Sequence, residues 1–448
     1  MKRLFLLPLA ALGLCSGWLF SASASERSAA VEPVRLRVEL DRPVLPAESR
    51  ETVIVKVALD GVRRPTARRA PVNVALVIDK SGSMSGERIE RAREAALAAV
   101  RRLGRDDVVS LVVFDREARV LVPARRVGDG AGLEAAIEGI DASGHTALHA
   151  GVVLGAEQLC RHLEDLRTHR VILMSDGQAN VGPRSADDLG RLGTELVDQG
   201  ISVTTVGLGM DYNEDLMAAL ARRSDGNTYF AAQARDLPRI FDEELGDVLS
   251  IVARRVVLEI DFPHGARPVR IVGREGRVED GRAVVELNQI YGGQEKFALI
   301  EVEVEPGRAD AVREVARARV RYEDALDARA STQGARVETR FVRERERVVA
   351  AVNREVQSDY AQNRLAEAKA EAVALVDAGR SAEAAVRLRR TGAELIALGG
   401  SYGNATVLAV AAPAAAIADS VEADGIDNAK RKALRAETEQ TFSQQRAE

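Results

Sequence analysis

Residues 72–86 read Val-Asn-Val-Ala-Leu-Val-Ile-Asp-Lys-Ser-Gly-Ser-Met-Ser-Gly, an apolar run that ends in small and polar residues. The β-branched run over 72–78 predicts a strand that is buried on both faces. The polar residues that follow lie where the chain leaves the carboxyl end of this strand, which is where open α/β sheets hold their ligands. This stretch therefore predicts both the fold and the place of a functional site.

Three later segments repeat the same apolar pattern, and amphipathic segments lie between them. In residues 87–103, Ile89, Ala92, Ala96 and Val100 share one helix face, while Arg and Glu residues occupy the others. Strands that alternate with helices predict an α/β fold with a parallel, Rossmann-like central sheet and right-handed crossovers. We expect strands at 72–78, 108–114, 171–174 and 201–206, and helices at 87–103, 132–140, 147–166, 186–199, 214–222 and 237–251.

A second pattern flanks this α/β region. Apolar and polar side chains alternate with a period of two in residues 34–59 and 256–322, which is typical of half-buried antiparallel strands. Two N-terminal strands cannot bury a face alone, so we expect them to complete a sheet with the later strands. The α/β domain is then inserted in an antiparallel β-sandwich and followed by a helical C-terminal region. The predicted boundaries are 25–71 and 251–345 for the two parts of the sandwich, 72–250 for the α/β domain and 346–448 for the helical region, with helices at 365–376 and 382–398.

The first residues have the three parts of a secretory signal peptide. Lys2-Arg3 precedes an apolar run over 4–20, and small residues follow at 21–24. We expect residues 1–24 to be cleaved off and the protein to be exported to the periplasm or secreted, the alternative being an uncleaved N-terminal membrane anchor. The later apolar stretch at 407–418 is too short to span a membrane, so we expect no integral span in the mature chain.

Composition excludes several other functions. The 63 Lys+Arg against 68 Asp+Glu give a formal net charge of -5, so the overall basic field that is typical of nucleic-acid-binding proteins is missing. With Cys15 and Cys160 as the two cysteines, neither a disulfide framework nor a cysteine-based zinc cluster can form. We expect Cys160 to be a buried residue of its predicted helix.

Five oxygen-bearing side chains fall at the carboxyl edge of the predicted sheet. Asp79, Ser81 and Ser83 follow the first buried strand, Thr146 precedes a helix, and Asp176 follows a later strand. Carboxylate and hydroxyl oxygens are hard ligands that suit Mg²⁺, with Mn²⁺ or Ca²⁺ as alternatives. The sequence therefore predicts a divalent-metal site at this edge.

The set Asp79-x-Ser81-x-Ser83, Thr146 and Asp176-Gly177 resembles the metal-ion-dependent adhesion site of von Willebrand factor type A domains, with all five positions filled. The resemblance covers about 72–250. It implies that the first three residues bind the ion directly and that Thr146 and Asp176 bind it directly or through water. One departure is His145, where such domains often have a small residue. The flanking regions resemble bacterial proteins of this family that are described as homologues of calcium-activated chloride channels, although the H-E-x-x-H motif of some animal relatives is absent.

Together with the predicted signal peptide, the resemblance implies an exported binding or adhesion protein rather than an enzyme. With two carboxylates among its ligands, the ion keeps an open coordination position that an acidic side chain of a protein partner can fill. One alternative is an envelope-assembly scaffold that acts through the helical tail. Another is a metal-dependent hydrolase that uses Asp79 and Asp176, with His145 as the general base.

Overall fold

Three β-sheets and their surrounding helices make up the described part of the chain, which covers residues 32–64, 69–128, 130–163, 167–176, 179–209 and 212–444 of this computed structural model. The predicted signal peptide, residues 1–24, lies outside the described residues, and so does Gly177. The strands are β1 (Val34–Leu40), β2 (Val44–Pro46), β3 (Glu51–Gly61), β4 (Val72–Asp79), β5 (Val108–Phe114), β6 (Ala118–Arg126), β7 (Thr168–Ser175), β8 (Ile201–Leu208), β9 (Thr228–Ala231), β10 (Ile251–Asp261), β11 (Ala266–Val272), β12 (Arg277–Glu279), β13 (Arg282–Tyr291), β14 (Glu295–Val304), β15 (Val312–Asp324) and β16 (Ala330–Val342).

The helices of the α/β region follow the predicted pattern closely, but α3 ends well before residue 166. The α-helices are α1 (Glu87–Arg102), α2 (Ala131–Glu138), α3 (Leu148–Cys160), α4 (Ala186–Asp198), α5 (Glu214–Arg223), α6 (Leu237–Leu249), α7 (Arg345–Ala350), α8 (Arg354–Asp377), α9 (Ser381–Tyr402), α10 (Ala405–Ala411), α11 (Pro413–Asp424) and α12 (Asn428–Ser443).

The central sheet has the strand order β6-β5-β4-β7-β8-β9, and each neighbouring pair except β5–β6 is parallel. Every residue of β4, β5, β7 and β8 is buried, because helices cover both faces of the sheet. These findings confirm the predicted α/β fold. The sequence pattern did not predict β6, an antiparallel edge strand in which most residues are exposed or half-buried.

Strand β4 has β5 on one side and β7 on the other, so the strand order reverses at β4. Loops that leave neighbouring strands at such a point run to opposite faces of the sheet and open a crevice between them. Helices α1 and α6 contribute Ile89, Val100 and Phe241 to the core on one face. Helices α3 and α5 contribute Val152 and Leu216 to the core on the other. The residues that follow β4 therefore lie at the crevice.

Two antiparallel sheets, with the orders β1-β3-β14-β11 and β12-β13-β10-β15-β16-β2, form the second part of the molecule. Strand β3 pairs with β14 along its length, from Glu51 opposite Val304 to Asp60 opposite Glu295. Apolar residues of both sheets share one core. Strands from before and after the α/β domain thus complete one sandwich, and this confirms the predicted insertion.

The C-terminal region is helical, as predicted, but its helices are longer and more numerous. Helix α8 begins at Arg354 rather than at 365, because the Asn353 side chain caps it by accepting hydrogen bonds from the backbone N–H groups of Glu355 and Val356. Val356 packs against Ile54 and Leu299 and so attaches α8 to the sandwich. The pattern did not predict α10, α11 and α12.

Helices α10 and α11 form one stretch, Ala405–Asp424, that is long and apolar enough to cross a membrane by length and composition, with a mean hydropathy of 1.4. In this structure 28% of the stretch is buried. The buried side is a stripe that includes Val407, Ala411, Ala414 and Ala418, and it packs in the clusters that also contain residues of α8 and α9. The absence of an integral span stays a prediction.

The expectation for Cys160 was wrong, because its side chain is exposed. Cys160 is the last residue of α3, where the neighbouring Leu159 faces the core instead. Its Sγ lies 3.7 Å from Oε1 of Gln199.

Candidate metal centre

Asp79 is the last residue of β4, and its carboxylate is fully buried. The backbone N–H of Ser81 donates a hydrogen bond of 2.8 Å to Oδ1, and Oγ of Ser175 donates one of 2.5 Å to Oδ2. These two donors fix the orientation of the carboxylate. Ser175 is the last residue of β7, so the neighbouring strand positions this ligand candidate.

Ser81 and Ser83 lie in the turn between β4 and α1. Their hydroxyl oxygens are 3.1 Å apart, so the two predicted ligands meet in the structure. Ser81 is buried, whereas Ser83 is exposed. Between the strand and α1 the chain forms one short 3-10 turn, Gly82–Met84, and the buried Met84 side chain anchors this turn in the core under α1.

Thr146 belongs to the loop before α3, which hydrogen bonds join to the two other loops of the edge. The N–H of Gly82 donates to the carbonyl of Gly144 over 3.0 Å. The N–H of Thr146 donates to Oδ1 of Asn180 over 2.9 Å, and the N–H of Asn180 returns a bond of 3.1 Å to the Thr146 carbonyl. The structure thus ties Thr146 both to the loop of Ser81 and Ser83 and to the loop after β7.

Asp176 follows β7, and 1% of its surface is exposed. Neither of its carboxylate oxygens has a hydrogen-bond partner among the described residues. Its nearest cation is Arg88 of α1, whose Nη1 lies 3.5 Å from Oδ2 and also donates a hydrogen bond of 3.2 Å to the carbonyl of Ser83. One guanidinium therefore spans from the Ser83 loop to Asp176.

The electrostatics of the site favour a cation. Burial raises the pKa of Asp79 to about 7, and the neighbouring carboxylate of Asp176 acts in the same direction, although hydrogen bonds from Ser175 and Ser81 oppose the shift. Two neighbouring buried carboxylates repel each other, and a cation bound between them stabilises both in the ionised form. The orphaned oxygens of Asp176 and the adjacent serine hydroxyls form a hard-oxygen donor set, so the residues present fit a divalent ion.

Sequence reasoning did not single out four further residues: Ser175 orients Asp79, Asn180 holds Thr146, Arg88 faces Asp176, and Asp115 receives the Lys80 ammonium group. Asp115 and Ser175 stand at the carboxyl ends of β5 and β7, which was an available signal. His145 is exposed.

A separate group of carboxylates, Glu295, Glu355 and Asp359, lies far along the chain from this edge. Lys56, whose side chain is buried, already occupies its centre, with Nζ 2.7 Å from Glu295 and 2.6 Å from Asp359. Because the ammonium group already balances part of this negative charge, the group is an ion cluster that joins β3 to α8.

Comparisons with known proteins agree with this fold. Residues 73–243 match the model of the von Willebrand factor type A domain. The chain is 36% identical over 160 residues to the Synechocystis sp. protein sll0103, and 27% identical over 249 residues to the Escherichia coli protein YfbK. These alignments cover 36% and 55% of this chain but only 37% and 43% of the relatives' own lengths.

One solved structure extends the likeness beyond this domain. A von Willebrand factor type A protein from Catenulispora acidiphila superposes with a TM-score of 0.63 over 82% of this chain and 89% of that chain, at 18% identity, which shows a shared fold. The resemblance to chloride-channel homologues stays a prediction. Residues 73–243 are a von Willebrand factor type A domain, inserted in an antiparallel sandwich and followed by C-terminal helices.

Proposed function

We propose that this protein is an exported, non-enzymatic binding protein that engages a protein partner through a divalent cation. Asp79, Ser81, Ser83, Thr146 and Asp176 hold the cation, which is Mg²⁺ or else Mn²⁺ or Ca²⁺. Domains of this family generally mediate protein–protein interactions and commonly hold a divalent metal at this edge of the sheet. The observation that carries the proposal is Asp176, a buried carboxylate without a hydrogen-bond partner among the described residues.

When bound, the cation offers a coordination position to an acidic side chain of the partner. The chain's own residues supply the rest of the recognition. Ser175 and the Ser81 backbone keep Asp79 in place, and Asn180 fixes the loop that presents Thr146. Because loops on rigid strands present these groups, the site is organised before the partner arrives.

Export to the periplasm or to the medium is part of the proposal. It is supported by the charged, apolar and small-residue parts of residues 1–24. Cleavage after Ala24 is checked by mass spectrometry of the protein isolated from its native cells.

The first test is metal binding, measured by isothermal titration calorimetry of residues 25–448 with Mg²⁺ and Mn²⁺. We expect Asp79→Asn and Asp176→Asn to abolish measurable binding, because each removes a negative charge and replaces a carboxylate ligand by a weaker amide oxygen. Asp106→Asn is the matched control, since Asp106 is an exposed carboxylate that pairs with Arg126. Binding by Asp79→Asn at the affinity of the parent protein would contradict the proposed site.

The second test is capture of an envelope protein by the purified chain in Mg²⁺ and in EDTA, with Asp79→Asn alongside. We expect capture only by the parent protein with metal. Equal capture in all three conditions would place the binding surface on the sandwich or the helices, as the scaffold alternative requires, and would contradict the proposed function.

A further inference from the structure

The Arg88 guanidinium lies beside the proposed metal site and pairs with one of its carboxylates. It lies in the first turn of α1, and its guanidinium reaches back over the turn that carries Ser83. Nη1 is 3.5 Å from Oδ2 of Asp176, which makes an ion pair without a hydrogen bond. Asp176 is thus neutralised by a cation that leaves both of its oxygens unbonded.

The loop after β8 also closes around Arg88. Gly209 has a φ of +78°, and a Cβ at this position would lie 2.9 Å from Nη2 of Arg88. The positive φ favours glycine there, and a side chain at this position would require the guanidinium to shift. Arg88 is therefore positioned beside the site by contacts with the Ser83 turn, Asp176 and Gly209.

Asp176 is 1% exposed, whereas the Arg88 side chain is 32% exposed. The carboxylate cannot turn to water, so without Arg88 it would be an uncompensated charge inside the protein. The arginine can turn to water, because it has a long stem and its head already borders solvent. The pair is consequently asymmetric: the anion is fixed and its counter-ion is movable.

We propose that Arg88 is the resident counter-ion of the metal site and that a divalent cation must displace it from Asp176. This inference rests on the proposed metal site and adds that the Arg88 guanidinium competes with the metal for Asp176. A divalent ion and a guanidinium beside the same carboxylate repel each other, so Arg88 turns outward as the metal arrives. The competition weakens metal affinity, and it keeps Asp176 neutralised when metal is scarce.

The test compares Arg88→Gln, Arg88→Lys and the parent protein, each as residues 25–448, by calorimetric titration with Mg²⁺ and Mn²⁺. We expect Arg88→Gln to bind both metals at least about tenfold more tightly, because the competing charge is gone. Arg88→Lys keeps the charge and should stay within about threefold of the parent protein. Arg101→Gln is the matched control: it makes the same charge change at the far end of α1, where Arg101 pairs with Glu134, and should not alter the affinity.

Thermal unfolding provides a second readout that does not depend on the titration. In EDTA we expect Arg88→Gln to unfold at a lower temperature than the parent protein, since Asp176 has lost its counter-ion. In saturating Mg²⁺ the deficit should disappear, so the gain in melting temperature on adding metal is larger for the variant.

Unchanged or weaker metal binding by Arg88→Gln, with normal binding by the parent protein, would overturn the counter-ion role and leave the metal site standing. Weaker partner capture by that variant at unchanged metal affinity would assign Arg88 to the partner instead, and this also overturns the inference. Absence of metal binding in both proteins would overturn the metal site and the inference together.

Discussion

Lys296 in β14 is a cation buried away from any carboxylate partner at hydrogen-bond distance among the described residues. Its Nζ donates to the carbonyl of Ser443, at the end of α12. Burial lowers the pKa of Lys296 from 10.5 to about 8. Folding therefore disfavours the protonated form, and the free energy of unfolding should rise as the pH increases from about 8 to 10.5.

Lys296→Met tests this at the residue scale. Below pH 8 the protonated lysine costs the folded state about 3 kcal/mol as an upper bound, so the variant should have a higher free energy of unfolding than the parent protein at pH 7. The difference should shrink as the pH is raised to 10.5, where the folded lysine is neutral and the unfolded lysine is half neutral. Urea denaturation at pH 7, 9 and 10.5 measures it, and a difference independent of pH would contradict the shift.

The sequence predicted the candidate ligands better than it predicted the residues that support them. Asp79, Ser81 and Ser83 lie within five residues of a strand end, so local spacing alone places them together. Asn180 and Arg88 act through contacts with Thr146 and Asp176 that arise only when separate loops pack together. Spacing along the chain does not encode such contacts, and for this reason Asn180 and Arg88 emerged only from the structure.

At the scale of elements, α3 lies unusually close to the central sheet. A Cβ on Gly151 would lie 2.5 Å from the ring of Phe114, and one on Gly155 would lie 2.5 Å from Cγ2 of Val77. Both distances are shorter than van der Waals contact, and Val77 is a β-branched residue within a fully buried strand. The two glycines therefore set the distance between this helix and the sheet.

Gly155→Ala should lower the free energy of unfolding by about 1–3 kcal/mol, because the overpacking outweighs the better helix propensity of alanine. Gly400→Ala in α9 is the matched control: a Cβ there meets nothing within 4 Å, and the change should stabilise the protein by up to about 1 kcal/mol. Urea denaturation of both variants checks the pair. Opposite signs are expected, and stabilisation by both would show that α3 has room to move outward.

Elements without a continuous apolar pattern were the ones that the sequence did not predict. Strand β6 lies at an edge of the sheet and is partly exposed to solvent, so its sequence is not a continuous run of apolar residues. Helices α10 and α11 are rich in alanine, whose small side chain gives little contrast between a buried and an exposed face. Their stripe of Val407, Ala411 and Ala414 becomes distinct only by packing on α8 and α9.

At the scale of the whole molecule, α12 connects the C-terminal helices to the α/β domain. Lys432 is buried, and its Nζ lies 2.6 Å from Oε2 of Glu214 in the first turn of α5 and 4.4 Å from the centre of the Tyr212 ring. On its other side α12 is joined to α8 by the ion pair between Glu437 and Lys369, at 2.6 Å. Helix α12 thus stabilises a contact between regions that are more than two hundred residues apart in the chain.

Lys432→Met should lower the free energy of unfolding of the full chain by up to about 3 kcal/mol, because the buried carboxylate of Glu214 then keeps Arg431 as its one counter-ion among the described residues. Lys430→Met is the control on the same helix, where an exposed lysine should contribute no more than about 0.5 kcal/mol. Adding Glu214→Gln to Lys432→Met should recover part of the loss, since it removes the buried charge that Lys432 compensated together with Arg431. Additive losses in the double variant, or equal effects of the two lysine changes, would mean that Lys432 and Glu214 are not energetically coupled and that α12 contributes to stability through its apolar contacts instead.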